Sequence, residues 1–200
     1  MHKPLGLFGS LLIALTVGAC ASSGTNIQRV PEPQLLMGTT TQDEIVGRLG
    51  KPRQISDEVK NGQQVSTIVY TYATTYTTDS RVAGVASARS QSFSFHDGRL
   101  VGHNFTSNFE SEKTDFDESA VPSFQEKVTT KADVVQVLGE PTGKQVYPLV
   151  DTAGDEAFLY VYGYVDTRKA NFPVYREHLT IVFGPDGVAK KITLEVRDDT

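Results

Sequence analysis

Apolar and polar positions alternate along most of this chain, and the alternation gives way twice to a helical rhythm. Ile45, Val46 and Leu49 fall on one stripe at helical spacing, as do Val134, Val135 and Leu138. Each stripe is bracketed by start and stop signals. Thr41 can accept a hydrogen bond from an orphan amide, with Glu44 three residues on completing a capping box; Thr130 with Asp133 is a weaker form of the same device. Gly50 and Gly139 suit a left-handed position just past the last turn, and Pro52 and Pro141 forbid continuation. The spacing predicts two helices of about nine residues, too short to be stable unless they lie on something.

Strands supply that support. Ile68, Tyr70 and Tyr72 alternate with Val69 and Thr71, and Phe158, Tyr160 and Tyr162 repeat the pattern. Phe93 and Phe95 lead into the turn His96-Asp97-Gly98-Arg99. Leu179, Ile181 and Phe183 lead into Pro185-Asp186-Gly187, after which Ile192, Leu194 and Val196 alternate with Lys191, Thr193, Glu195 and Arg197. These read as antiparallel hairpins with one apolar and one polar face.

The two sets of signals recur in one order at one constant offset: Pro33 and Pro122, Thr41 and Thr130, Gly50 and Gly139, Pro52 and Pro141. The predicted fold is therefore α+β, in two tandem repeats, each with one or two short helices packed on a three- to four-stranded antiparallel sheet. The repeats span 34–108 and 126–200. Between them, 109–125 carries five acidic side chains and one basic one and reads as an acidic linker.

The first residues differ from the rest. A basic start (His2, Lys3), an apolar run from Leu11 to Val17 and the small residues Gly18 and Ala19 lead into Cys20, the one cysteine of the chain. This order matches an export signal over 1–19, and the run is too short to span a bilayer as a helix. Val17-Gly18-Ala19-Cys20 resembles the lipobox of bacterial lipoproteins, which implies that Cys20 is the lipid-attachment site and the first residue of the mature protein. More than one acyl chain, as that family carries, holds a protein stably on a membrane. Ala21 in place of an aspartate implies outer-membrane delivery, on the periplasmic face. Residues 20–33 are small, polar and proline-containing and read as a flexible tether.

The formal net charge is -5, and no segment has the basic excess of a nucleic-acid binder. His96, His103 and His178 make no metal-ligand spacing, and no nucleophile elbow or phosphate loop is present. The sequence predicts no catalytic, cofactor-binding or metal-binding residue. Tyrosine is frequent, at eight residues, and tryptophan absent. Tyr70, Tyr72, Tyr160 and Tyr162 are candidate partner-binding residues if they face away from the helices; otherwise they fill the sheet beneath them. The small, polar stretch 74–90 is long for a hairpin connection.

Gly38-Thr39-Thr40-Thr41, the apolar stripe, Leu49-Gly50-Lys51-Pro52, the tyrosine-rich strand and the glycine-turn hairpin together resemble the SmpA/OmlA (BamE) lipoprotein family. The second occurrence keeps Leu138-Gly139-Glu140-Pro141 but has Lys127 where the first has Gly38. The resemblance implies a lipid-anchored binding or scaffold protein of the bacterial envelope, an accessory of outer-membrane protein assembly or of another envelope complex. The doubling looks more like the tandem arrangement of β-lactamase-inhibitor proteins, which implies inhibition of a periplasmic or secreted enzyme. A small-molecule receptor or hydrolase with its site between the repeats is the third expectation. The implied partners are a membrane, through the acyl anchor, and an envelope protein.

Overall fold

The computed structural model describes residues 22–75 and 78–199. The expected export signal and Cys20 lie outside the described residues. Among the described residues there are nine strands: β1 (Ser22–Gly24), β2 (Gln54–Lys60), β3 (Gln63–Thr74), β4 (Ser87–His96), β5 (Arg99–Ser107), β6 (Gly143–Val146), β7 (Glu156–Val165), β8 (Val174–Phe183) and β9 (Ala189–Asp198). Two helices, α1 (Gln42–Leu49) and α2 (Lys131–Leu138), and three short 3-10 turns complete the described elements.

The expectation of an α+β fold in two repeats, each with its own sheet, is overturned. All nine strands belong to one antiparallel sheet, ordered β3-β4-β5-β6-β7-β8-β9, with β1 and β2 sharing the outer edge of β3. The element that unites them is β6. It pairs with β5 through Gly102–Gln145, His103–Lys144 and Asn104–Gly143, and with β7 through four residues from Gly143–Leu159 to Val146–Glu156. Close approach at this seam requires glycine: a Cβ on Gly143 would lie 2.2 Å from the His103 carbonyl oxygen. Four residues with a glycine among them carry no strand signal of their own.

The helices form where the spacing predicts them. Thr41 Oγ1 accepts from the Glu44 amide at 3.2 Å and the Glu44 carboxylate accepts from the Thr41 amide at 2.7 Å; Thr130 and Asp133 reproduce the exchange at 3.3 and 2.8 Å. Gly50 and Gly139 have φ of 78°, as a stop signal requires, but ψ of -158° and -170°. That is the mirror-extended region, not the left-handed helical one. Just before the helices, Gly38 and Lys127 both take positive φ, 70° and 65°. Each turn is tied to a returning strand: the Gly38 amide donates to Leu100 O at 2.8 Å and the Lys127 amide to Ala189 O at 2.7 Å.

Period two assigns every strand residue to one of two faces. The helices cover the face bearing Ile68, Tyr70, Phe93, Phe95, Phe158, Tyr160, Leu179, Ile181 and Phe183. Ile45 packs into one cluster there and Val134 into the other. Residues of the expected tether and of the expected acidic linker are also packed on this face. Ile27 and Val30 are 4% and 1% exposed, and the buried Gln91 amide clamps Val30 by accepting from its N–H at 2.9 Å and donating to its carbonyl at 3.2 Å. Residues 22–33 are therefore docked rather than a free tether. In 109–125, Phe116, Val121 and Phe124 join the second cluster, and the Thr114 hydroxyl donates to Val161 O at 2.8 Å.

Candidate functional site

The four candidate tyrosines lie on the helix-covered face. Tyr70 is 2% exposed and Tyr160 1%. Their hydroxyls donate to the carbonyls of Gly50 and Gly139, each at 2.8 Å, so each strand caps the end of the helix above it. Burial pushes both phenols above their ordinary range. Tyr162 is also buried, and its phenol is pushed up to about 12, mainly by burial and further by Asp115. Tyr72 is half-buried and stacks on Phe109 at 6.3 Å, with Arg89 over both rings. The covered face thus takes up the tyrosines that alternation alone left unassigned.

The opposite face has no helix on it. Along β4 it presents Ala88, Ser90, Ser92 and Ser94, and along β5 Asn104 and Thr106. Across from them are Val161, Gly163 and Val165 of β7 and Val174 and Arg176 of β8. Where β6 ends, β5 and β7 are no longer bridged, and a groove of about 430 Å³ opens between these two sets, bordered also by Tyr162, Tyr164 and Tyr175. Small side chains give it depth. The serines, Asn104 and Thr106 give it hydrogen-bonding capacity, and Arg176 provides one cation at its margin.

Both ends of this face are tied across the sheet. At one end the β3–β4 connection reaches the β7–β8 connection: Arg168 donates to Ala83 O at 3.1 Å, and the Ala86 amide donates to the Thr167 hydroxyl at 3.1 Å. Asp166 fixes Arg168 through contacts of 2.7 and 2.8 Å, and the same hydrogen bonds hold its carboxyl down at about 2. At the other end the β2–β3 turn holds the β6–β7 loop. The Asn61 side-chain amide donates to Pro148 O and Val150 O, both at 3.0 Å. The loop lies over the helix-free face, since a Cβ on Gly102 would lie 2.5 Å from Leu149 Cδ1. The long connection after Thr74, singled out by its length, is one of these two ties.

Among the described residues, no group of three or more His, Cys, Asp or Glu is arranged to hold a metal ion. His96 lies at the β4–β5 turn. His178 is half-buried on β8, its ring shifted down by burial. His103 is buried at the seam, with Nε2 unpartnered, and desolvation lowers it from 6.5 to about 4 against the opposing influences of Glu32 and Glu156. Because the unfolded chain takes up this proton at a higher pH, the stabilising effect of a neutral His103 is complete above about pH 6.5. It is lost as pH falls towards 4. Between pH 7 and 5.5 the parent is expected to lose about 1 kcal/mol from this group. Urea unfolding at both pH values checks this: His103→Gln is expected to flatten the dependence, and an unchanged slope would show that another group carries it.

No helix among the described residues is long and apolar enough to cross a membrane. No family model matches the sequence, so the SmpA/OmlA resemblance has no family match behind it, and no curated protein matches either. Among solved structures the chain is similar to a Streptococcus mutans protein described as a "putative beta-lactamase inhibitor protein". The two share 11% identity and a TM-score of 0.43, over 82% of this chain and 91% of that one. This distant likeness touches the second resemblance noted from the sequence and carries no argument about what the chain binds.

Proposed function

We propose that this protein acts by binding, not catalysis, and that the helix-free face of its sheet receives a segment of a protein partner. The observation that carries this reading is the groove between β4–β5 and β7–β8, floored by small side chains and held between two ties. A surface already fixed before docking loses little conformational freedom on binding. That suits a stoichiometric blocker, so of the two forms of binding considered, inhibition of a periplasmic or secreted enzyme ranks ahead of scaffolding in envelope assembly. The lipid anchor at Cys20 and the outer-membrane location remain part of the proposal. An acyl group there would place β1, which begins two residues on, within about 7 Å of the headgroups.

Ser92→Trp tests the groove. Ser92 is partly exposed on the floor, so the indole is expected to fill the groove with no loss of thermal stability. Solubilised full-length protein is expected to recover one extracytoplasmic enzyme in equal amounts and to abolish its activity at one equivalent. The tryptophan variant is expected to lose at least tenfold in recovery. Recovery of a barrel-assembly or secretion component instead would establish scaffolding. Recovery unchanged by the variant would remove the groove from the binding surface.

A further inference from the structure

The covered face carries a second arrangement, beyond the ends of the helices. In the strand register Tyr72 stands opposite Arg89, and Tyr162 stands opposite Glu177. At the first position the chain supplies its own guanidinium to an aromatic pair. Arg89 Cζ is 4.7 Å from the Phe109 ring centre and 5.5 Å from that of Tyr72. Its Nη1 donates to Glu112 at 2.7 Å and its Nη2 to Asn26 at 2.6 Å.

At the second position the rings and the carboxylate are present without a cation. Tyr164 and Tyr175 stack at 5.3 Å, and Tyr162 lies 6.2 and 6.3 Å from them. Glu177 is 7% exposed. The Tyr175 hydroxyl donates to one of its oxygens, and the other is buried with no hydrogen-bond partner. Among the described residues no lysine or arginine forms an ion pair with Glu177. The nearby Arg81 is engaged by Asp115 at 2.9 Å and Glu110 at 3.8 Å. Asp115 and Glu118 add to the negative potential around Glu177. A buried carboxylate oxygen left unpaired is unfavourable.

We propose that Tyr162, Tyr164, Tyr175 and Glu177 form a receptor for a guanidinium, the side chain of an arginine on a protein partner. The flat cation can lie against a tyrosine face while an N–H donates to the unpaired carboxylate oxygen, as Arg89 does with Tyr72, Phe109 and Glu112. An ammonium fits less well, because it offers no flat face to the rings. In the strand register these side chains fall on the covered face, and Tyr162, Tyr164 and Tyr175 also border the groove; the assignment rests on the unpaired Glu177 carboxylate, not on that groove.

Full-length protein carrying 13C-labelled tyrosine, titrated with N-acetylarginine amide and with N-acetyllysine amide, tests the assignment. The ring signals of Tyr162, Tyr164 and Tyr175 are expected to move saturably, with the arginine probe at least fivefold tighter than the lysine probe. Glu177→Gln is expected to weaken the arginine probe about tenfold while melting no lower than the parent, since it removes a buried charge. If that variant does melt lower, Tyr164→Leu, at a partly exposed ring, carries the same test. Ring signals that do not saturate, or an affinity unchanged by the substitution, would overturn the proposal.

Discussion

Gly143→Val is expected to lower stability by about 4 kcal/mol and to split thermal unfolding into two transitions. The glycine sits where β6 meets both neighbours. A Cβ there would lie 2.2 Å from the His103 carbonyl oxygen, 2.7 Å from Asn104 Cα and 2.9 Å from Asn104 Cβ. Most of these atoms are backbone or stiffly attached to it, so no side-chain rotation relieves the clash. β5 and β6 must separate, and with them the three residue pairs that bridge the sheet at this seam. Thr142 is at risk too: its hydroxyl donates to Asn104 at 2.9 Å and accepts from the Val161 amide at 3.0 Å, beside the same junction. The two apolar clusters then lose their common backbone, and each is expected to melt on its own. Scanning calorimetry reads the result directly; a single transition at the parental temperature would show that β6 does not unite the sheet.

The second large effect is expected at the helix ends. Gly50 and Gly139 occupy a backbone region that essentially only glycine enters, at φ 78° with ψ of -158° and -170°. Around both, the space for a Cβ is open. The cost of substitution is therefore in the backbone, not in contacts, and alanine is expected to destabilise nearly as much as valine. About 2–3 kcal/mol is expected for either residue at either position, a fall in melting temperature of about 5–10 °C. Tyr70 and Tyr160 add to it, because a shifted carbonyl loses its tyrosine hydrogen bond. Thermal melts of the four variants check this. A valine variant well below its alanine counterpart would mean that sterics, not backbone geometry, sets the cost.

What sequence could reveal follows from the range of the interaction. Capping boxes, helix stripes and turn glycines act within a few residues, so Thr41, Glu44, Thr130 and Asp133 announce both helices. The Asp97-Gly98 turn announces the β4–β5 hairpin through two consecutive positive φ angles, 49° and 71°. Asn61-Gly62 is an equally local signal, at 49° and 77°, and it marks β2, a strand missing from the sequence reading. The seam is different. Nothing within 143–146 alternates, and the strand exists because residues some forty positions earlier present a free edge. Docking of 22–33 likewise depends on Gln91, whose buried amide reaches back sixty-one positions.

The candidate sites divide along the same line. Alternation shows that Tyr70, Tyr160 and Tyr162 share faces with their even-numbered neighbours, but the covered face is chosen by where the helices return. The groove is less legible still, because its small residues, its polar ones and its three tyrosines are drawn from four strands. The nearest signal was the length of the connection after Thr74, which proves to close one end. Glu177 had none: only its register opposite Tyr162, and comparison with Arg89, sets it apart.

The open rims of the sheet bear on how the molecule behaves when crowded. β2 is exposed along its whole length, with Ile55 and Val59 among its side chains, and such a border is a template for fibril growth. Asp57, Glu58 and Lys60 interrupt it. At the far border Lys190, Lys191, Glu195 and Arg197 stud β9, and Glu126 occupies the Ile192 amide. A neighbouring copy would have to desolvate these charges on both borders before its strands could add, so lateral stacking is resisted without either border being covered.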